Sequence, residues 1–212
     1  IRINKQPMFV KAAKSFPKNF KWIFIAHQKI KSFIELKKYA NLFKKKKFLF
    51  LKNKTKGQAS TVYKSLKLLN EKDIIIIHSC DLSFKLNLKN LKKKIKKNDL
   101  LVCTAKGSKY HLNNHKHFSW VKKEQKKIKV SLKKNFKNKK DSKVLIGSFV
   151  FKNKKILRDL LNYIFRNKIK INNEYYMDSV INIAQKLDYK LDNFDVNKYI
   201  SWGSHNELLN YK

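Results

Sequence analysis

The sequence predicts an α/β fold, a mixed sheet of the doubly wound type with helices on both faces. Three observations predict it. Short apolar runs of strand length alternate with longer stretches whose apolar residues recur at helical spacing. One run, Ile74–Ile77, is four consecutive isoleucines, the pattern of a central parallel strand covered on both faces. After Gly107 two short runs joined by a polar turn read as a hairpin insertion.

The elements follow in order. Trp22–Ala26 and Phe48–Leu51 are apolar runs of buried-strand length. Between them, Lys29–Lys44 carries Ile30, Phe33, Ile34, Leu36, Leu42 and Phe43 at roughly helical spacing. A polar turn, Lys52–Gly57, leads to a helix with Val62, Leu66 and Leu69 on one side. The isoleucine strand comes next, then a Leu- and Lys-rich helix over Leu86–Lys97 and a strand over Leu100–Ala105. Phe118–Lys122 and Ile128–Ser131 form the expected hairpin, with Lys123–Lys127 as its turn. Val144–Phe151 is a buried strand interrupted by Gly147. Helices are expected at Lys154–Asn167 and Glu174–Lys186, a strand at Leu191–Val196 and a last helix from Ser204. No internal repeat is visible, and residues 1–212 read as a single domain.

Composition narrows the function classes. Apolar residues make up 42% of the chain, with 15 Phe and 9 Tyr, which is enough for a packed core and argues against disorder. No run approaches the ~18 consecutive apolar residues of a membrane span. Cys80 and Cys103 are too few for a disulfide scaffold and lack metal-site spacing. With no signal-peptide pattern at Ile1–Val10, a cytoplasmic location is expected.

The chain holds 52 basic and 14 acidic residues, net +38. Such a charge suggests a nucleic-acid partner. However, only Arg2, Arg158 and Arg166 are arginines, and the lysines run along the whole chain. Base readout and bidentate phosphate contacts favour arginine, so the expectation is a solvated lysine surface with no dedicated nucleic-acid partner.

Asp81 is the sharpest chemical candidate. It lies just past the C-terminal end of the isoleucine strand, where ligands bind in open α/β sheets. There it could hold Mg²⁺, which takes one or two carboxylates plus substrate phosphates, or it could cap the next element. Gly57-Gln58-Ala59-Ser60-Thr61 opens a helix with small residues, so its backbone N–H groups could approach an anion, although Ser60 serves equally as a plain N-cap. His111, His115 and His117 share a loop but lack Cys or carboxylate partners, which speaks against zinc. Cys80 beside Asp81 could be a nucleophile or an inert thiol. Trp202-Gly203-Ser204 reads as a strand-to-helix link.

Taken in order, these segments resemble a family. Gln6-Pro7-Met8, Trp22–Ala26, Gly57-Gln58-Ala59-Ser60-Thr61 and Ser79-Cys80-Asp81 are similar to motifs of the nucleotidyltransferases that activate sugar phosphates, nearest the bacterial capsule and surface-polysaccharide type. Phe118-Ser119-Trp120, Gly147–Phe151, Asn172–Tyr176 and Trp202-Gly203-Ser204 continue the family order, so the resemblance covers nearly the whole chain. It implies a GT-A-like Rossmann sheet and transfer of a nucleotidyl group from a nucleoside triphosphate to a sugar 1-phosphate, releasing pyrophosphate. It implies further that Gly57, Gln58 and Ala59 hold the base and that Asp81 binds Mg²⁺. Lys133 would contact the sugar phosphate, with Ser119, Gly147, Asn173 and Glu174 on the sugar-phosphate side.

Three departures accompany the resemblance. The family's Gly-rich, triphosphate-cradling loop is absent, and Ile1 begins just beyond where it would stand. The chain alone is therefore expected to be nearly inert. Leu132 replaces the acid before Lys133, and Ser201 stands where many relatives carry a second metal-binding Asp. A glycosyltransferase of the same general fold is the alternative function. Such enzymes usually offer two acids around one residue at the strand end, whereas Asp81 is followed by Leu82-Ser83. A catalytically silent nucleotide- or nucleic-acid-binding module is a further alternative.

Overall fold

The computed structural model describes residues 1–30, 38–39, 41–124, 127–131 and 142–209. Along the chain, β1 (Arg2–Ile3) and β2 (Gln6–Pro7) pair and lead into α1 (Met8–Ala13). Then come β3 (Lys21–His27), β4 (Lys45–Leu51), α2 (Gln58–Ser65), β5 (Ile75–His78) and β6 (Leu82–Lys85). α3 (Leu88–Lys97), β7 (Leu100–Ala105), α4 (Lys109–Asn113), β8 (Trp120–Glu124) and β9 (Lys127–Ser131) follow. β10 (Ser142–Phe151), α5 (Lys154–Arg166), α6 (Ser179–Lys186), β11 (Leu191–Asp195), β12 (Asn197–Ser201) and α7 (His205–Leu209) end the series.

The main sheet is mixed and has six strands. β10 is its spine: β7 pairs along one edge, while β8 and β5 share the other edge at opposite ends of the strand. β11 runs parallel to β7, and β9 extends the sheet beyond β8. Period-two alternation gives each strand two faces. Leu100 and Val102 of β7, with Leu145, Phe149 and Phe151 of β10, join the core under α2, α5 and α6. Leu101, Cys103 and Ala105, with Val144, Ile146 and Val150, join the core under α3 and Phe16, which follows α1. Helices therefore cover both faces, as the sequence predicts.

Local chemistry sets the helix limits. Asn153 accepts a hydrogen bond from the Ile156 N–H at the start of α5, and Asn87 does the same for Asn90 at α3. Each such cap is worth about 1 kcal/mol. Along α5, Leu157, Leu160, Leu161 and Ile164 are wholly buried, at about 1.5–3 kcal/mol apiece. That stripe anchors the helix far more strongly than its caps.

Several expectations are corrected. The isoleucine strand is not a central parallel strand. β5 runs antiparallel to β10, and Ile74 is 49% exposed. The helix expected from Glu174 begins at Ser179, because Asn172 and Asn173 take left-handed backbone angles (φ 48° and 62°) and fold the segment into a tight turn. The hairpin strands are Trp120–Glu124 and Lys127–Ser131, pairing Glu124 with Lys127, so the turn is shorter than Lys123–Lys127. Gln28–Ile30 is a 3₁₀ turn at the start of the segment expected to be helical, of which residues 31–37 lie outside the described residues. β6 and β12, an antiparallel pair, were not expected.

Candidate active site

β5 delivers its last residue, His78, to one edge of the sheet, and the chain turns through Ser79, Cys80 and Asp81 before β6. Three segments singled out in the sequence meet there. The Gln58 amide donates to Ser79 Oγ at 3.0 Å, and Ser79 Oγ donates to the Gly147 carbonyl at 3.2 Å. Gly147 sits at φ 67° in the irregular stretch of β10, and a Cβ there would lie 3.0 Å from Ser79 Oγ. The turn before Asp81 is thus clamped to the start of α2 on one side and to β10 on the other.

Gly57 requires its lack of a side chain twice over. Its φ is 92°, and a Cβ would lie 2.6 Å from the Tyr175 carbonyl oxygen. The close approach lets Tyr175 N–H donate to Lys56 O at 2.8 Å and Ala59 N–H donate to Tyr175 O at 3.0 Å. These bonds lock the Gly57–Ala59 turn to the Asn173–Glu174 turn, so the two candidate segments are direct neighbours. Asn173 and Glu174 are both exposed there.

Asp81 stands out electrostatically. In a chain of net charge +38, carboxylates such as Glu71, Asp73, Asp192 and Asp195 lie against lysines. No lysine or arginine pairs with Asp81 among the described residues. Burial raises its pKa, and the negative charge of Glu207 adds to the effect. An unpaired carboxylate held partly out of water gains from a cation. The Asp81 carbonyl accepts a hydrogen bond from Trp202 N–H at 2.7 Å, and a Cβ on Gly203 would lie 2.9 Å from Asp81 Oδ2. Ser201 bonds the Gly203 N–H at 3.3 Å, so it stands beside the same carboxylate. No group of three or more His, Cys, Asp or Glu side chains converges among the described residues. The donor set fits a hard cation that draws most of its oxygen ligands from phosphates rather than an all-protein cage.

The remaining candidates differ. Ser119 is buried and donates to Asp178 Oδ2 at 2.6 Å, and its carbonyl accepts from Leu145 N–H, which ties it into the sheet. Lys133 lies outside the described residues. Cys80 is an exposed residue whose thiol is held above its usual range by burial of the sulfur and by Asp81, which disfavours a thiolate nucleophile. His111 is buried and bonds Ser108, 3.8 Å from Glu207, while His115 faces the Leu112 carbonyl. Sequence reading missed Asp178 and Glu207. Glu207 accepts from Ser204 N–H at 3.1 Å, and the Ser204-x-x-Glu207 spacing is the capping-box signal that could have found it.

Solved structures share this architecture. A nucleoside-diphosphate-sugar pyrophosphorylase from Vibrio cholerae superposes with a TM-score of 0.78 at 16% identity, over 100% of this chain and 89% of that one. The fold is that of the nucleotide-sugar pyrophosphorylases. An inositol-1-phosphate CTP transferase from T. maritima gives 0.72 at 16% identity, over 100% of this chain and 83% of that one. A UDP-glucose pyrophosphorylase complexed with UDP-glucose gives 0.70 at 14%, over 100% and 87%. The sequence matches no protein-family model and no curated protein. Among the described residues, no helix is long and apolar enough to cross a membrane.

Proposed function

We propose that this protein is a sugar-phosphate nucleotidyltransferase, supplying nucleotide sugars for surface-polysaccharide synthesis. One observation carries the reading: on a pyrophosphorylase fold, the Gly57–Gln58 turn, the Gly147 bend and Asp81, which has no lysine or arginine partner among the described residues, converge at one sheet edge. In the proposed reaction a sugar 1-phosphate oxygen forms a bond to the α-phosphorus of a nucleoside triphosphate. The bond from the α-phosphorus to the bridging oxygen breaks, and pyrophosphate leaves with the electron pair.

The residues divide the work. Gly57, Gln58 and Ala59 receive the base, on a turn whose shape is fixed by the Tyr175 backbone packed against Gly57. Asn173 and Glu174, fixed beside that turn through Tyr175, face the sugar side. Ser119 and Gly147 hold the strand geometry around it, and Lys133 is assigned to the sugar phosphate. Asp81 would hold Mg²⁺ together with phosphate oxygens, and the ion when bound offsets charge on the transferring phosphoryl group. A phosphate-cradling loop from elsewhere in the polypeptide is part of the proposal, so residues 1–212 alone should turn over poorly.

The test is pyrophosphate release by the protein expressed from its native gene, from a panel of nucleoside triphosphates and sugar 1-phosphates, with and without Asp81→Asn. Release that depends on both substrates and falls by orders of magnitude in the variant supports the assignment. Transfer of sugar from a ready-made nucleotide sugar, with no pyrophosphate formed, would replace it with a glycosyltransferase.

A further inference from the structure

Asp81 offers one carboxylate, so its value as a cation ligand depends on where its oxygens point. The turn after β12 sets that direction. Trp202 N–H donates to the Asp81 carbonyl at 2.7 Å, and Gly203 packs so closely that a Cβ there would lie 2.9 Å from Asp81 Oδ2. The far side of this turn is fixed in its own right. Glu207 Oε2 accepts from the N–H and the hydroxyl of Ser204, at 3.1 and 2.9 Å, and Ser204 Oγ accepts from the Glu207 N–H at 3.2 Å. Because the Ser204 proton goes to Glu207, the hydroxyl of Tyr110, 3.1 Å from Ser204 Oγ, is the donor of that contact.

The other oxygen of Glu207 is placed unusually. Glu207 Oε1 faces His111 Nε2 at 3.8 Å; both side chains are buried, and neither atom has a hydrogen-bond partner among the described residues. The ring's opposite nitrogen fixes its tautomer. His111 Nδ1 accepts from the Ser108 N–H at 3.2 Å and lies 2.6 Å from Ser108 Oγ. Burial lowers the His111 pKa, so the neutral ring carries its proton on Nε2, the nitrogen facing Glu207. The rings of Phe118 and Tyr199 stand 4.6 and 5.7 Å from the imidazole. Capping α7 does not require this arrangement, because Oε2 alone makes the cap. That cap is worth about 1 kcal/mol, and withdrawing a carboxylate oxygen from water costs at least as much. The stability of a five-residue helix therefore does not account for the pair.

We propose that His111 and Glu207 are a positioning pair for Asp81. The imidazole fixes Glu207, Glu207 fixes the Gly203–Ser204 turn, and the turn sets the direction of the Asp81 carboxylate. The inference rests on the nucleotidyltransferase reading, in which Asp81 holds the cation. The negative charge of Glu207 also reaches Asp81, so a cation there is attracted by two carboxylates while bound to one. Supports of this kind behind a metal ligand typically change cation affinity about 10–100-fold. α4, placed between β7 and β8, thus takes part in the site through Glu207.

The test uses Mn²⁺ as the probe, in the presence of inorganic pyrophosphate, with binding to the protein expressed from its native gene read by electron paramagnetic resonance. Asp81→Asn defines the Asp81-dependent site. Glu207→Ala should weaken Mn²⁺ there about 10-fold or more, and His111→Phe, which keeps a ring but removes the N–H, should act in the same direction. Ser204→Ala should weaken it too, and Ser204→Thr, which restores the hydroxyl, should return it to within about twofold of the parent. The amides of β12 should keep their hydrogen-exchange protection in every variant. Unchanged Mn²⁺ affinity in Glu207→Ala and His111→Phe overturns the proposal and leaves Asp81 as the ligand. Equal losses in Ser204→Ala and Ser204→Thr overturn it as well. Protection of β12 that falls in step with Mn²⁺ affinity overturns it by making the pair merely structural. Binding that Asp81→Asn does not alter removes the cation site itself, and the proposal falls together with that part of the nucleotidyltransferase reading.

Discussion

Gly57→Ala tests how the base-side turn is built. A Cβ at this position would lie 2.6 Å from the Tyr175 oxygen and 2.9 Å from its nitrogen, both backbone atoms that no rotamer change can move. Holding alanine at φ 92° costs roughly 1–2 kcal/mol. Displacing the Tyr175 backbone adds about 1–3 kcal/mol of overpacking strain. A total near 3 kcal/mol is a large share of an ordinary domain stability of about 5–15 kcal/mol. For a chain of this size it corresponds to a fall of about 6–12 °C in Tm. Urea and thermal unfolding would measure the loss, and nucleotide binding at a temperature where the variant is folded would show whether the turn still forms. Gly107→Ala is the comparison: its φ is ordinary, so only the packing part of the cost applies, from a Cβ that would meet the buried Trp120 ring at 3.0 Å, and a smaller change is expected. Equal effects at the two glycines, or a Gly57→Ala loss below about 0.5 kcal/mol, would refute the account of the turn.

Further outcomes can be measured. Burial lowers the His78 pKa from 6.5 to about 4, so the unfolded chain binds the extra proton first and stability falls as pH drops from about 6.5 to 4. At 1.36 kcal/mol per unit the loss is about 3 kcal/mol. His78→Phe should flatten denaturation midpoints across that window, although Asp81, whose pKa is raised, contributes with the opposite sign. Gly203→Ala should press on the Asp81 carboxylate, a flexible target, and lower pyrophosphate release about tenfold or more while Tm moves by only a few degrees. Binding to RNA should show no base preference and weaken steeply between 50 and 200 mM salt in a filter or anisotropy assay, as a diffuse lysine surface dictates.

Much of the fold is legible in the sequence where local pattern and tertiary role agree. β7 and α5 are such cases: a six-residue apolar run buried throughout, and a Leu stripe capped by Asn153. Legibility fails where long-range pairing overrides local preference. Glu174–Tyr176 has helical neighbours, but the Tyr175 backbone is claimed by Lys56 and Ala59, more than a hundred residues earlier. β5 is three isoleucines ending in His78 and reads as central, yet its state depends on which strands flank it, and its own residues do not encode that. The candidate site is partly legible for the same reason. Gly57, Asp81 and Gly147 were visible one at a time as turn and strand-end residues, whereas the Ser79 hydrogen bonds that join them exist only in three dimensions.

The irregular stretch of β10 also constrains how its gene can change. Between Leu145 and Phe149 the strand advances four residues while β7 advances two, from Thr104 to Val102, so two extra residues are accommodated. Because two is the side-chain period of a strand, Val144 and Val150 still enter one core and Leu145 and Phe149 the other. Losing or gaining a single codon here would turn half the strand inside out, exchanging its two hydrophobic inventories. A change of two codons would preserve both. Length variation at this bend should therefore be tolerated only in even steps.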